Sequence, residues 1–198
     1  EPNTVLLNEV KPGETYEIVV THFHGMPLMR YRLHDLVTFT ALSDEESDIR
    51  LPQLVFKARA ADMIPLAGLA QIDEKTLWQA IENAGIENSG WTAYKEYNNN
   101  HSYLRLCIEL KGERKTNDVE EMIDHQLKTI DIDYRDIDKW LSHQPIRVTL
   151  LSTGTFQRYY EHKQKEGADL AHLKPPHMNA PELVIQKLLQ LSNVAGNI

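Results

Sequence analysis

Hydrophobic and polar positions along this chain run on two different periods. Up to about residue 57 they alternate in short stretches, the two-residue period of a strand. Tyr16-Glu17-Ile18-Val19-Val20-Thr21 is one compact run, Leu28 to Thr40 supplies one or two more, and Leu54-Val55-Phe56-Lys57 resumes the pattern. Lys11-Pro12-Gly13-Glu14 reads as a turn, and the acidic run Asp44-Glu45-Glu46-Ser47-Asp48 as a solvated loop rather than a metal site. Ala58-Arg59-Ala60-Ala61-Asp62-Met63-Ile64 then looks like a joint into differently patterned chain.

Beyond the joint the period lengthens to three or four. Asp73 opens a predicted helix, and caps it, with Leu77, Trp78, Ile81 and Ala84 at helical spacing and Gly85 placed to stop it. Trp91–Tyr97 and Ser102–Leu110 read as strands around the turn-forming Asn98-Asn99-Asn100-His101. Asp118 to about Ile130 is a predicted helix with Val119, Met122, Ile123 and Leu127 inward, and Asp136 to His143 a further helical piece. A strand over Pro145–Leu151, a helix over Thr155–Gly167 and a last helix over Ala180–Ser192 complete the series. The fold class expected is α+β: a β-rich N-terminal segment followed by a small sandwich with helices packed on a mixed sheet.

Composition narrows the setting. The 198 residues are 41% hydrophobic and 25% charged, the balance of an ordinary globular protein. A net charge of −8 argues against a nucleic-acid surface, where phosphates need clustered Lys and Arg. No apolar run approaches the roughly 20 residues that cross a bilayer, and no signal peptide opens the chain. The single cysteine, Cys107, lies in an alternating strand run, which predicts a buried reduced thiol and a cytoplasmic location. The chain opens at Glu1 in sequence of mid-protein character, as expected of a piece of something longer.

The candidate chemistry concentrates in two places. Pro27–Val37 sets Arg30 and Arg32, on one face by strand alternation, into a short apolar strand, with Asp35 where that strand would turn out to meet a ligand. A solvated edge strand with a carboxylate in a turn is the plain alternative. Later, Lys174-Pro175-Pro176 holds a lysine in an extended loop, a way to bring a compact positive charge to a developing phosphate or carboxylate charge. Between them, Ser152-Thr153-Gly154-Thr155-Phe156 links a strand to a helix, where Thr153 or Thr155 caps or the amides face an anion. His22-Phe23-His24 has a metal-compatible spacing without further ligands nearby, so no metal is assigned. Phosphate-loop, zincin and nucleophile-elbow motifs are absent from the sequence.

Taken in order, these segments resemble the C-terminal part of adenylate-forming enzymes. Tyr16–Thr21 followed by Pro27–Leu36 is similar to phenylacetate–CoA ligases and to the auxin-conjugating acyl-acid-amido synthetases. Arg59-Ala60-Ala61-Asp62-Met63-Ile64 and Gly68 resemble the hinge joining the large and small domains, with Ala58 where a glycine is usual. Ile132–Asp136, Gly154-Thr155-Phe156, Gly167-Ala168 and Leu173–Pro176 follow the amido-synthetase pattern, with Leu173 replacing a tyrosine, His177 an arginine, and Gln71 near a family lysine.

The resemblance implies that residues 1–57 end a large nucleotide-binding domain, that 58–64 is a hinge, and that 65–198 is a small mobile domain. It further implies an ATP-dependent ligase that adenylates a carboxylic acid and passes the acyl group to an amine, such as an amino acid, or to coenzyme A. Asp35 would take the ribose hydroxyls, Arg30, Arg32 and Arg59 would lie near the nucleotide, and Lys174 would offset charge during adenylation. ATP and AMP are the implied cofactors. Mg²⁺ is implied too, its ligands expected mostly upstream in an N-terminal domain missing from this chain, without which the piece is expected to be inactive. A non-catalytic α+β binding module is the competing reading.

Overall fold

The alternating first third becomes a three-stranded antiparallel meander. Its strands are β1 (Thr15–His22), β2 (Leu28–Ala41) and β3 (Gln53–Arg59), paired in that order. The structure is a computed structural model and describes residues 3–68, 70–98, 101–137, 144–167 and 173–194. It divides into two compact units, Glu1–Ala61 and Asp62–Ile198. In the first, Val10, Val37 and Phe39 form a small core against Tyr16 and Ile18. The Tyr16 and Phe39 rings meet edge to face at 5.7 Å. The acidic run closes as an exposed turn in which Asp44 Oδ1 accepts the backbone N–H groups of Glu46 and Ser47.

Two expectations about β2 fail here. Regular alternation was to place Arg30 and Arg32 on one face, but Arg30 (φ 47°) and His34 (φ 62°) are left-handed and break the pleat. Residues 29–34 are all exposed, and Asp35 lies inside the 14-residue strand rather than where it ends.

A 3-10 turn at Ala60–Asp62 carries the chain from the first unit into the second, which opens with a hairpin of β4 (Ile64–Leu66) and β5 (Ala70–Ile72). Helix α1 (Glu74–Asn83) follows; Asp73 Oδ1 accepts the Thr76 N–H at 2.7 Å, and Gly85 (φ 63°) ends it. The long hairpin of β6 (Asn88–Asn98) and β7 (His101–Leu110) is antiparallel, whereas β8 (Ile146–Leu151) joins β7 in parallel. A parallel return requires a crossover, provided by α2 (Thr116–Ile130), α3 (Ile132–Ile137) and the chain after them. The helical piece expected over Asp136–His143 overlaps only the end of α3; residues 138–143 lie outside the described set. Helices α4 (Thr155–Lys165) and α5 (Glu182–Val194) pack on each other.

The core of this unit follows from the two periods. Val119, Ile123 and Leu127 of α2 recur every four residues, and Leu104, Leu106 and Ile108 of β7 every two, all fully buried. Buried polar groups are satisfied: Tyr134 Oη donates to Asp124 Oδ1 at 2.9 Å, and Lys128 Nζ lies 2.8 Å from Asp124 Oδ2. The α+β class read from the sequence is the one observed. Among the described residues no helix is long and apolar enough to cross a membrane.

Candidate functional site

Asp35 sits at the last register pair of the meander, opposite Arg59, the final residue of β3. Their side chains form an ion pair, Arg59 Nε to Asp35 Oδ1 at 3.7 Å, with Arg59 mostly exposed and Asp35 about one-third exposed. That leaves carboxylate surface free to accept hydrogen bonds, as diol recognition requires.

The two β2 arginines have different surroundings. Arg32 Nε donates to Glu17 Oε1 at 2.8 Å and its Nη2 to Glu17 Oε2, a two-point grip that holds the Glu17 carboxyl below its usual range. Arg32 therefore faces Glu17 rather than Asp35. Arg30 donates its backbone N–H to Thr21 Oγ1 at 3.2 Å, and among the described residues its guanidinium makes no ion pair. Of the four predicted nucleotide-side residues, Asp35 and Arg59 come together.

Lys174 belongs to the second unit, and its loop is pinned by backbone pairing with the outer edge of β6. Ala93 N–H donates to the His177 carbonyl at 2.7 Å, Asn179 N–H returns to the Ala93 carbonyl at 2.8 Å, and Thr92 Oγ1 donates to the Pro176 carbonyl at 2.7 Å. Leu173, Pro175 and Met178 point into the protein while Lys174 and Pro176 stay exposed, the alternation of an extended, proline-stiffened segment. His177, where the family pattern has arginine, stands edge-on to buried Trp91, ring centroids 4.4 Å apart. Lys174 lines a cleft of about 830 Å³, with Trp78, Trp91, Phe156, Tyr160 and Lys111 among its walls. No described residue pairs with the Lys174 ammonium.

The start of α4 corrects the reading of Ser152–Phe156. Gly154 (φ 79°) occupies the cap position, and its amide and that of Phe156 already face an anion of this chain: Glu109 Oε1 accepts the Gly154 N–H at 2.7 Å and Oε2 the Phe156 N–H at 2.9 Å. Thr155 Oγ1 bonds the Ser152 carbonyl at 2.6 Å instead of capping forward. Sequence reasoning missed Glu109. Its one signal was a second charged residue, after Arg105, near the end of a strand whose other residues from Leu104 to Leu110 are apolar or thiol. The His22 and His24 rings lie 6.4 Å apart, and no group of three potential ligands exists among the described residues.

This architecture is found in parts of two solved ligases. One is the GH3.15 acyl acid amido synthetase, with a TM-score of 0.60 and 21% identity over 94% of this chain and 35% of that one. The other is a 2-hydroxyisobutyryl-CoA ligase in the postadenylation state, with a TM-score of 0.53 and 16% identity over 93% and 36%. Family models match in chain order, the GH3 family central domain over residues 1–59 and the GH3 family C-terminal domain over residues 74–182. The chain belongs to the GH3 family. It is 28% identical to the jasmonoyl–L-amino acid synthetase JAR4 of Nicotiana attenuata over 98% of its own length and 34% of that protein. It thus spans about a third of the relatives it matches.

Proposed function

We propose that this chain is the C-terminal part of an ATP-dependent ligase that adenylates a carboxylic acid and transfers the acyl group to the amine of an amino acid. The observation that carries the reading is the Asp35–Arg59 pair at the edge of the central-domain match, just ahead of the boundary between the units. The carboxylic acid attacks the α-phosphate of ATP, releasing pyrophosphate, and the amine then displaces AMP from the acyl-adenylate. Asp35 accepts hydrogen bonds from the ribose hydroxyls while Arg59 offsets its charge. Lys174, held out by its proline-stiffened loop, stabilises charge at the transferring phosphoryl group. Residues 58–64 act as the hinge between the end of a large domain and a small mobile one.

An amino acid acceptor is favoured over coenzyme A by the order of the late motifs and by the acid–amino acid ligases among the relatives. Mg²⁺ would accompany ATP with its protein ligands mostly upstream of this chain; the described residues hold no group of three candidate ligands. A half-buried Asp35 with part of its acceptor surface open fits a ribose. The buried thiol of Cys107 supports a reducing, cytoplasmic setting.

ATP–pyrophosphate exchange tests the proposal. In the full-length protein, Asp35→Ala is expected to raise the KM for ATP by about 10- to 100-fold, the loss of one or two charge-assisted hydrogen bonds. Lys174→Ala is expected to slow adenylation by about 10²-fold or more and acyl transfer far less. Equal loss in both steps would remove Lys174 from this role, and exchange by the 198-residue chain alone would contradict the partial-site reading.

A further inference from the structure

Strands β1 and β2 fall out of step beside Asp35. Between Glu17 and Val19 of β1 the facing residue on β2 jumps from Leu36 to Arg32, so Ile18 alone spans Leu33, His34 and Asp35. The excess residues form a bulge, with His34 in the left-handed conformation at φ 62°. A residue with a Cβ is disfavoured in that conformation, which crowds the Cβ against the following carbonyl. Burial does not hold it, since residues 29–34 are all exposed.

One side chain does bridge the bulge. The Glu17 carboxylate grips Arg32 at two points, where the strands come back into register, and lies 3.3 Å from Nδ1 of His34 inside the bulge. Asp35 follows at once and is met from β3 by Arg59. A solvent-exposed ion pair adds little to global stability, yet it selects among local backbone arrangements of similar energy. We infer that Glu17 is a positioning residue for the nucleotide: its grip on Arg32 and His34 holds the bulge in the form that aims the Asp35 carboxylate. Glu17 touches no substrate itself, and the inference rests on the ribose-binding role proposed for Asp35.

The test uses the full-length protein carrying this chain and ATP–pyrophosphate exchange. Glu17→Gln keeps the shape and removes the charge. It is expected to raise the KM for ATP by about 5- to 20-fold, the loss of a charge-assisted pair, with kcat and the KM for the acid nearly unchanged. The charge swap Glu17→Arg with Arg32→Glu is expected to recover much of that loss. An unchanged KM for ATP, a parallel fall in every kinetic constant, or loss of folding in Glu17→Gln would each overturn the inference. Asp35→Ala run alongside separates the two claims. If it weakens ATP and Glu17→Gln does not, only the positioning role fails; if it leaves ATP unaffected, the site itself is wrong.

Discussion

Glu109 organises the surroundings of Lys174 from a distance no local pattern reveals. Its carboxylate satisfies amides 45 and 47 residues further along the chain. Asp73, by contrast, was legible as a cap because the amide it accepts lies three residues ahead, in the same predicted turn. Asp35 stood out as a carboxylate among apolar neighbours, but its partner Arg59 became visible only once β3 lay beside β2. Glu109→Ala leaves two half-buried amides without their acceptor and is expected to cost about 1–3 kcal/mol in urea unfolding; a loss below about 0.5 kcal/mol would mean that water replaces the carboxylate. Cys107 gives a second residue-scale test. Burial pushes its thiol up from 9.0 to about 11, so the native protein at pH 8 is expected to react with a disulfide reagent only as fast as it unfolds. Because the folded value lies above the unfolded one, this thiol's contribution to stability is full below about pH 9 and is lost as pH rises toward 11. Fast labelling of native protein at pH 8 would refute the burial.

At the scale of elements, the long periodic segments were readable and the short ones were not. The cores of α1, α2, β6 and β7 follow from apolar spacing over ten or more residues. The β4–β5 hairpin, three residues per strand, is too short to show a period and emerges only through the burial of Ile64, Leu66, Ala70 and Ile72. The sequence reading of β2 was too regular, because a bulge leaves no trace in hydrophobic alternation. Packing between β6 and α4 makes a sharper prediction. A Cβ at Gly90 would sit 2.9–3.2 Å from the Phe156 ring, closer than a relaxed contact allows. Gly90→Ala is thus expected to destabilise by about 1–3 kcal/mol and to disturb the cleft wall. The double variant Gly90→Ala with Phe156→Leu is expected to regain part of that loss; additive losses would show that the clash is not the cause. Glu120 has an edge-protecting role, its Oε2 accepting the Val148 N–H of β8 at 2.9 Å from α2.

The two units differ in how much of their own core they contain, and this bears on how the whole molecule folds. Residues 62–198 bury a continuous cluster drawn from α1, α2, α3 and β4–β8, with Leu77, Leu106, Ile123 and Tyr134 fully enclosed. Among the described residues, 1–61 bury only Val10, Val37, Phe39 and Ala58, while Phe56 stays 62% exposed, Tyr31 52% and Leu54 46%. A domain of about 60 residues is marginal even when well packed, and a three-stranded meander with so small a core falls short of that. Residues 62–198 expressed alone are therefore expected to show dispersed amide resonances and a cooperative urea transition. Residues 1–61 alone are expected to show neither, because their apolar sheet surface needs cover from other parts of the protein. A cooperative transition in 1–61, or its absence in 62–198, would refute this division of stability. The outcome also matters for the proposed chemistry. In the proposed ligase, a small domain that carries Lys174 on a self-sufficient fold would keep its own structure while reorienting about the proposed hinge at residues 58–64, whereas one that depends on its neighbour for stability would melt when it moved.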